Sequence, residues 1–387
     1  MKIKLIGDVC EVIAGQSPKS SFYNKDEKGL PFYQGKKEFS EKYIGKPTTW
    51  TTKVTKEAFK DDILMSVRAP VGPVNYATEH ICIGRGLAAI RAGEDIDNEY
   101  LFYFLIYHEN KIVGNEGAVF NSINKKQIEN LEIHLPDTKE EQKQIVKTLD
   151  LAFGQIDQAK ANLEQNLANA KALWESYLVE RLEKRDKTWI EKKWGDVCHF
   201  VRGPFGGSLK KSMFKEEGYV VYEQKHAIHD HFNQLRYFID EDKFNEMKRF
   251  EVKSGDIIMS CSGVTLGRVA IIPNGIPRGI INQALLKLTP NQDINVEFLK
   301  YWMRSKIFQD IIFKHSGGAA IPNVPSAKIL KEITLFLPSR GEQEKIISEI
   351  KSAYDKIQTL QTHYQQNLNN LKELKKSILE KAFKGEL

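Results

Sequence analysis

Cysteine is scarce. Cys10, Cys82, Cys198 and Cys261 are the only four in 387 residues, and they lie far apart with no C-x-x-C pair. That spacing fits reduced thiols in a cytoplasmic chain better than a disulfide framework. Long apolar runs are missing as well. The longest aromatic-apolar stretch, Tyr100 to Tyr107, is far below a membrane span, and the start Met1-Lys-Ile-Lys-Leu-Ile-Gly has no sustained apolar core, so neither export nor insertion is expected. The glycine clusters Gly15-Gln-Ser-Pro-Lys-Ser20 and Gly203-Pro-Phe-Gly206-Gly207-Ser208 lack the G-x-x-x-x-G-K-[ST] spacing of a phosphate cradle and read as turns. His226-x-x-His229-x-His231 has no companion ligand cluster, so no metal or other cofactor is expected.

Charge is nearly balanced, with 57 Lys and Arg against 51 Asp and Glu, a surplus too weak to single out nucleic acid. Its distribution is uneven. Cut before Lys139, Lys187 and Ser339, the four pieces hold 18 against 19, 8 against 9, 22 against 16 and 9 against 7. The positive field therefore sits mainly in the third piece.

What is present is a repeat. Gly7-Asp-Val-Cys10 returns as Gly195-Asp-Val-Cys198, Asp62-Ile-Leu-Met-Ser66 as Asp256-Ile-Ile-Met-Ser260, and Leu135-Pro136 as Leu337-Pro338. Glu141-Gln142 returns as Glu342-Gln343, and Asn166-Leu-x-Asn-x-Lys-x-Leu173 as Asn367-Leu-x-Asn-x-Lys-x-Leu374. Unchanged order across so many matches marks a tandem duplication. Within each repeat, short apolar runs broken by Gly, Pro and Asn come first and predict strands and turns; a long helix follows each Leu-Pro.

Both helices open on a capping box, Thr138-x-x-Glu141 and Ser339-x-x-Glu342. Apolar residues then recur at spacings of four and three. The first seam holds Ile145, Leu149, Ile156, Leu163 and Leu173, and the second Ile346, Ile350, Ile357, Leu360 and Leu374; Asn166 and Asn367 occupy the matching polar layer in each. A stripe this narrow predicts a coiled coil, in which a buried asparagine fixes register; the alternative is that both amides face solvent. At about 1.5 Å per residue the first helix would run roughly 65 to 70 Å, and Gly385 after Lys384 suits a helix stop. An intramolecular pair must be antiparallel, because a whole globular segment separates the two helices.

Three strings carry a resemblance to a known family: Asp62-Ile-Leu-Met-Ser-Val-Arg-Ala-Pro-Val-Gly72, Cys82-Ile-Gly-Arg-Gly-Leu-Ala-Ala-Ile90, and Leu-Pro followed by Glu-Gln at the helix entrances. With the closing Ser377-Ile-Leu-Glu-Lys-Ala-Phe-Lys-Gly-Glu-Leu387, they make the chain resemble the specificity subunits of Type I restriction-modification systems over nearly its whole length. One departure is Asp61 where the family's Gly-Asp turn has glycine; the second repeat keeps Gly255. The resemblance implies an α/β architecture: two tandem target-recognition domains joined by two long antiparallel coiled-coil helices, with pseudo-twofold symmetry. The expected boundaries are 1–138 and 187–338 for the domains, 139–186 and 339–387 for the helices. It implies a non-catalytic subunit that reads a bipartite double-stranded DNA site in the cytoplasm, docks methylation subunits, two in number, and through them meets restriction subunits. No Asn-Pro-Pro or Asp-Pro-Pro of an adenine methyltransferase is present.

Base readout needs forked or amide side chains, and phosphate contacts need cations or hydroxyls. The candidates are Gln34, Lys36, Lys37, Arg68 and Arg85 in the first repeat, and Gln224, Lys225, Ser262, Arg268 and Gln283 in the second. For Arg85 and Gln283 a buried structural role is the rival, since apolar residues flank both. The rival to the whole reading is a two-headed coiled-coil scaffold without DNA specificity, which predicts little salt-dependent DNA affinity.

Overall fold

The computed structural model describes residues 2–114, 122–183, 187–315 and 323–387; the expected end of the first long helix at 184–186 lies outside them. The chain divides into two compact units, Met1–Glu164 with Gln365–Leu387, and Gln165–Tyr364, so each long helix contributes to both.

The two units repeat one plan. In the first, Cys10–Ala14, Leu87–Ala92, Ile63–Ser66 and Val74–Tyr76 lie side by side in that order, all antiparallel. In the second, Cys198–Arg202, Leu285–Pro290, Ile257–Ser260 and Val269–Ile271 repeat the order and the directions. Beside each sheet runs a parallel pair, Leu30–Tyr33 with Ile81–Ile83 and Tyr219–Tyr222 with Gly279–Ile281. The runs Ile63–Ser66 and Ile257–Ser260 are buried throughout, which is why they read as unbroken apolar strings instead of alternating ones. Lys2–Leu5 pairs with Glu132–Leu135, and Ile190–Lys193 with Thr334–Leu337, tying the start of each repeat to the strand that precedes its long helix.

The turn at Asp61 keeps the geometry of its glycine counterpart. Asp61 adopts φ 71°, close to the 85° of Gly255, and their amides donate to equivalent carbonyls, Ala77 at 2.9 Å and Ile272 at 3.0 Å. Aspartate is among the few residues that enter the left-handed region at modest cost.

The long helices are Lys139–Glu183 and Arg340–Lys384, 45 residues each. Glu141 N–H donates to Thr138 Oγ1 at 3.2 Å and Glu342 N–H to Ser339 Oγ at 3.4 Å, closing the first turns. The neighbouring glutamines explain the Glu-Gln string. Gln142 is buried, accepts from Asp97 N–H at 2.7 Å and donates to Asp95 O; Gln343 accepts from Asn295 N–H at 2.7 Å and donates to Asp293 O. Each clamps a helix entrance to the loop that starts its unit's internal helix. At the far end Gly385 takes φ 77° and Glu386 N–H reaches Lys381 O at 2.9 Å, a left-handed stop.

Pairing of the helices is seen inside each unit. In the first, Leu149, Phe153 and Ile156 join a core that contains Leu379, Ala382 and Phe383, and Lys375 meets Asp157 at 3.5 Å. In the second, Trp174 packs against Tyr354 at 5.1 Å and Arg181 pairs with Glu349 at 3.1 Å, an antiparallel run.

The seam departs from the strict heptad. Leu149, Ile156, Ile346, Ile350 and Ile357 are buried, and Ile145 and Leu163 half-buried. Leu173, Leu360 and Leu374 are 58%, 42% and 47% exposed, and Asn166 and Asn367 also face solvent. Leu167, Trp174, Leu368 and Lys375 take the inward places instead. From Leu149 through Leu163, Leu167, Ala170 and Trp174 to Leu182 the inward series advances by about 3.7 residues, near the 3.6 of a straight helix and not the 3.5 of a supercoil. The amides therefore rotate out, and Gln165 with Asn169 and Gln366 with Asn370 bond along the outer face at 2.9 Å and 3.0 Å.

Candidate nucleic-acid interface

In both units the chain leaves the parallel strand pair through a tight turn before entering the four-stranded sheet. Leu87 N–H bonds Gly84 O at 2.9 Å, and Leu285 N–H bonds Asn282 O at 3.2 Å. Arg85 and Gln283 stand at the same place on these turns, and both are exposed. The buried-role rival is thereby removed: the strands end at Ile83 and Ile281, and two residues further on the turn carries Arg85 and Gln283 clear of the core that their apolar neighbours enter.

Main-chain contacts fix the turn from three sides. Gly84 N–H donates to Tyr33 O and Asn282 N–H to Tyr222 O; Val67 N–H donates to Gly86 O and Cys261 N–H to Ala284 O; Gly15 N–H donates to Leu87 O and Gly203 N–H to Leu285 O. A Cβ at Gly15 would lie 2.2 Å from Gly84 O, and one at Gly203 1.9 Å from Asn282 O. This close approach is the physical role of Gly15 and Gly203.

Around the first turn the structure gathers Ser17, Gln34, Arg68 and Arg85. Ser17 Oγ donates to Gln34 Oε1 at 2.9 Å and accepts from Arg85 N–H at 3.1 Å, and Arg68 Nε points to Arg85 O at 3.4 Å. Lys36 and Lys37 follow on the short turn Lys36–Glu38, Lys36 half-buried and Lys37 exposed. Ser17 was not foreseen; its place two residues after Gly15 was the available signal.

The second turn is dressed differently. Phe205, two residues after Gly203, is 70% exposed, and Val264 is 92% exposed. Glu223, not Gln224, follows the parallel strand where Gln34 follows its own; it is buried and held by Arg236 at 2.7 and 2.9 Å, with Lys225 at 3.6 Å. Gln224 Nε2 donates to Ser260 Oγ and to Ser262 O, so its amide is engaged inside the unit. Ser262 pairs with Asn323 beside the turn. Arg268 is not brought to this cluster. It lines a cavity of about 570 Å³ with His229, Asp230, Lys300 and Arg304, where Asp230 binds Lys300 at 2.7 Å and Arg304 at 2.9 Å.

His226 is buried and structural: its Nδ1 accepts from Glu223 N–H at 2.9 Å and its Nε2 faces Gln234 O at 3.2 Å. Burial holds its pKa below the usual imidazole value. No group of three or more His, Cys, Asp and Glu suited to a metal occurs among the described residues. All four thiols are buried and unbridged, and burial pushes those of Cys10, Cys198 and Cys261 up to about 12.

Two repeated α/β units sharing two long helices, each with an exposed polar turn, define a duplicated recognition protein. The chain belongs to the Type I restriction modification DNA specificity domain family, whose model matches residues 1–169 and again 186–370, and it is a specificity subunit of that kind. A relative described as the specificity subunit of the type I restriction enzyme MjaX of Methanocaldococcus jannaschii is 46% identical over 164 residues, 42% of this chain and 38% of that relative. The chain thus spans well under half of that relative. The EcoBI specificity subunit of Escherichia coli is 25% identical over 414 residues, covering 98% of this chain and 84% of its own. Among solved structures, a chain from a study of assembly and conformational transition of the type I R-M system superposes with TM-score 0.78 at 17% identity, over 100% of this chain and 98% of that one. No helix among the described residues is long and apolar enough to cross a membrane.

Proposed function

We propose that this chain reads a bipartite double-stranded DNA site, one half per recognition domain at 1–138 and 187–338, and performs no bond-breaking step itself. The observation that carries this reading is the duplicated turn: the same main-chain frame presents Arg85 in one unit and Gln283 in the other, with Gln34 and Arg68 beside the first. Amide and guanidinium groups are the donors and acceptors that distinguish base edges, whereas Lys36, Lys37 and Ser262 suit phosphates. The long helices, shared by both units, act as the spacer that sets the gap between half-sites, with centres about one helical turn of DNA apart. They also dock methylation subunits, two per chain, which carry the adenine chemistry and recruit the restriction subunits, all in the cytoplasm where the DNA lies.

The test is selection from random duplexes by the full chain with its methylation subunits, repeated across salt concentrations. A split consensus with affinity falling steeply as salt rises is expected. A single continuous site, or affinity indifferent to salt, overturns the reading in favour of a protein-binding scaffold.

A further inference from the structure

The two turns share one set of main-chain hydrogen bonds and present different side-chain chemistry. Among the described residues, neither the Arg85 guanidinium nor the Gln283 amide has a hydrogen-bond partner, although both residues are rigidly placed by the main-chain bonds to Tyr33, Tyr222 and the glycine loops. An exposed forked group on a fixed backbone is prepared for a planar partner. A guanidinium is matched by the two acceptors N7 and O6 of guanine, and a carboxamide by the acceptor N7 and donor N6 of adenine.

The surroundings differ in the same sense. Beside Arg85 stand a hydroxyl, Ser17, and a second guanidinium, Arg68; at the matching places of the second unit the chain has Phe205, exposed and two residues after Gly203, and the neutral Ser262. Apolar surface in the major groove favours the thymine methyl, the one apolar group that a base pair displays there. We infer that the first unit reads a guanine through Arg85 and the second an adenine through Gln283, with Phe205 against the thymine methyl of an A·T pair. The inference rests on the bipartite reading above and adds which base class each half contains. It also says that the half with the larger positive surplus is not the one reading through a cation at its tip.

The experiment is the same duplex selection, joined to mapping of methylated adenines, with the wild-type chain, Arg85→Gln and Gln283→Arg, each assembled with its methylation subunits. In the wild type one half-site should hold an invariant G·C and the other an invariant A·T. Arg85→Gln should exchange that G·C for A·T in the first half alone, with about tenfold or greater loss on the original base. Gln283→Arg should do the reverse in the second half, and melting temperatures should stay unchanged because both side chains lie outside the core. Two results overturn the inference while leaving the bipartite reading intact: a split consensus lacking those pairs, or variants that keep the wild-type consensus and merely bind all sequences more weakly, as phosphate contacts would. A wild-type consensus that is not split overturns the functional reading and this inference with it.

Discussion

Asp61 and Gly255 turn the chain into equivalent buried strands at nearly the same positive φ, but only one of them is glycine. A Cβ in the left-handed region costs up to about 1–2 kcal/mol, and less for aspartate, so Gly255→Ala should lower unfolding stability by about 1 kcal/mol while Asp61→Gly should change it by less, measured by denaturant titration. His226 makes a pH prediction. Its folded-state pKa lies below the unfolded value near 6.5, so the stabilisation is present above that pH and lost as pH falls through the folded value. Melting scans from pH 8 to 5 should show a steeper decline for the wild type than for His226→Asn. A pH-independent difference between the two would refute it. At this scale the sequence revealed which side chains are polar but not which are free. The Gln224 amide is spent on Ser260 and Ser262, while Gln283, set among apolar neighbours, points outward.

The long helices show how far an element can be read from its pattern. Their existence, their capping residues and the Gly385 stop follow from local rules, because each depends on bonds within a few residues. The inward face does not. A difference between 3.5 and 3.6 residues per turn accumulates along a helix until the stripe shifts by a whole residue, and a list of apolar positions offers Leu173 or Trp174 with equal ease. Substitution separates the two faces. Leu149→Ala and Ile350→Ala, both at fully buried sites, should each cost about 2–5 kcal/mol. Leu173→Ala and Leu374→Ala should stay within about 0.5 kcal/mol. Equal losses at all four, read from unfolding curves, would restore the heptad seam.

On the scale of the whole molecule, the division of the chain matters more than the division of the sequence. The repeat suggests two consecutive halves, yet the first unit is completed by Gln365–Leu387, which brings Phe383 against Tyr100 at 5.2 Å and Phe104 at 5.6 Å. Sequence similarity could not show this, because the duplicated segments look alike whichever neighbour they pack on. Residues 1–186 expressed alone should therefore self-associate or precipitate, whereas co-expression with 187–387 should yield a soluble complex with a cooperative melt. Size-exclusion chromatography of the two preparations checks this, and a well-behaved monomer of 1–186 would count against it. Phe383→Ala in the intact chain should cost about 3–5 kcal/mol.

The turns that carry Arg85 and Gln283 are held chiefly by main-chain carbonyls and amides, and neither outward side chain takes part in holding them. Their outward side chains can therefore change without any debt to folding. Under the proposed reading, such a protein can shift toward a new target one substitution at a time, with abundance and assembly untouched, and selection then acts on what is recognised instead of on whether the chain survives.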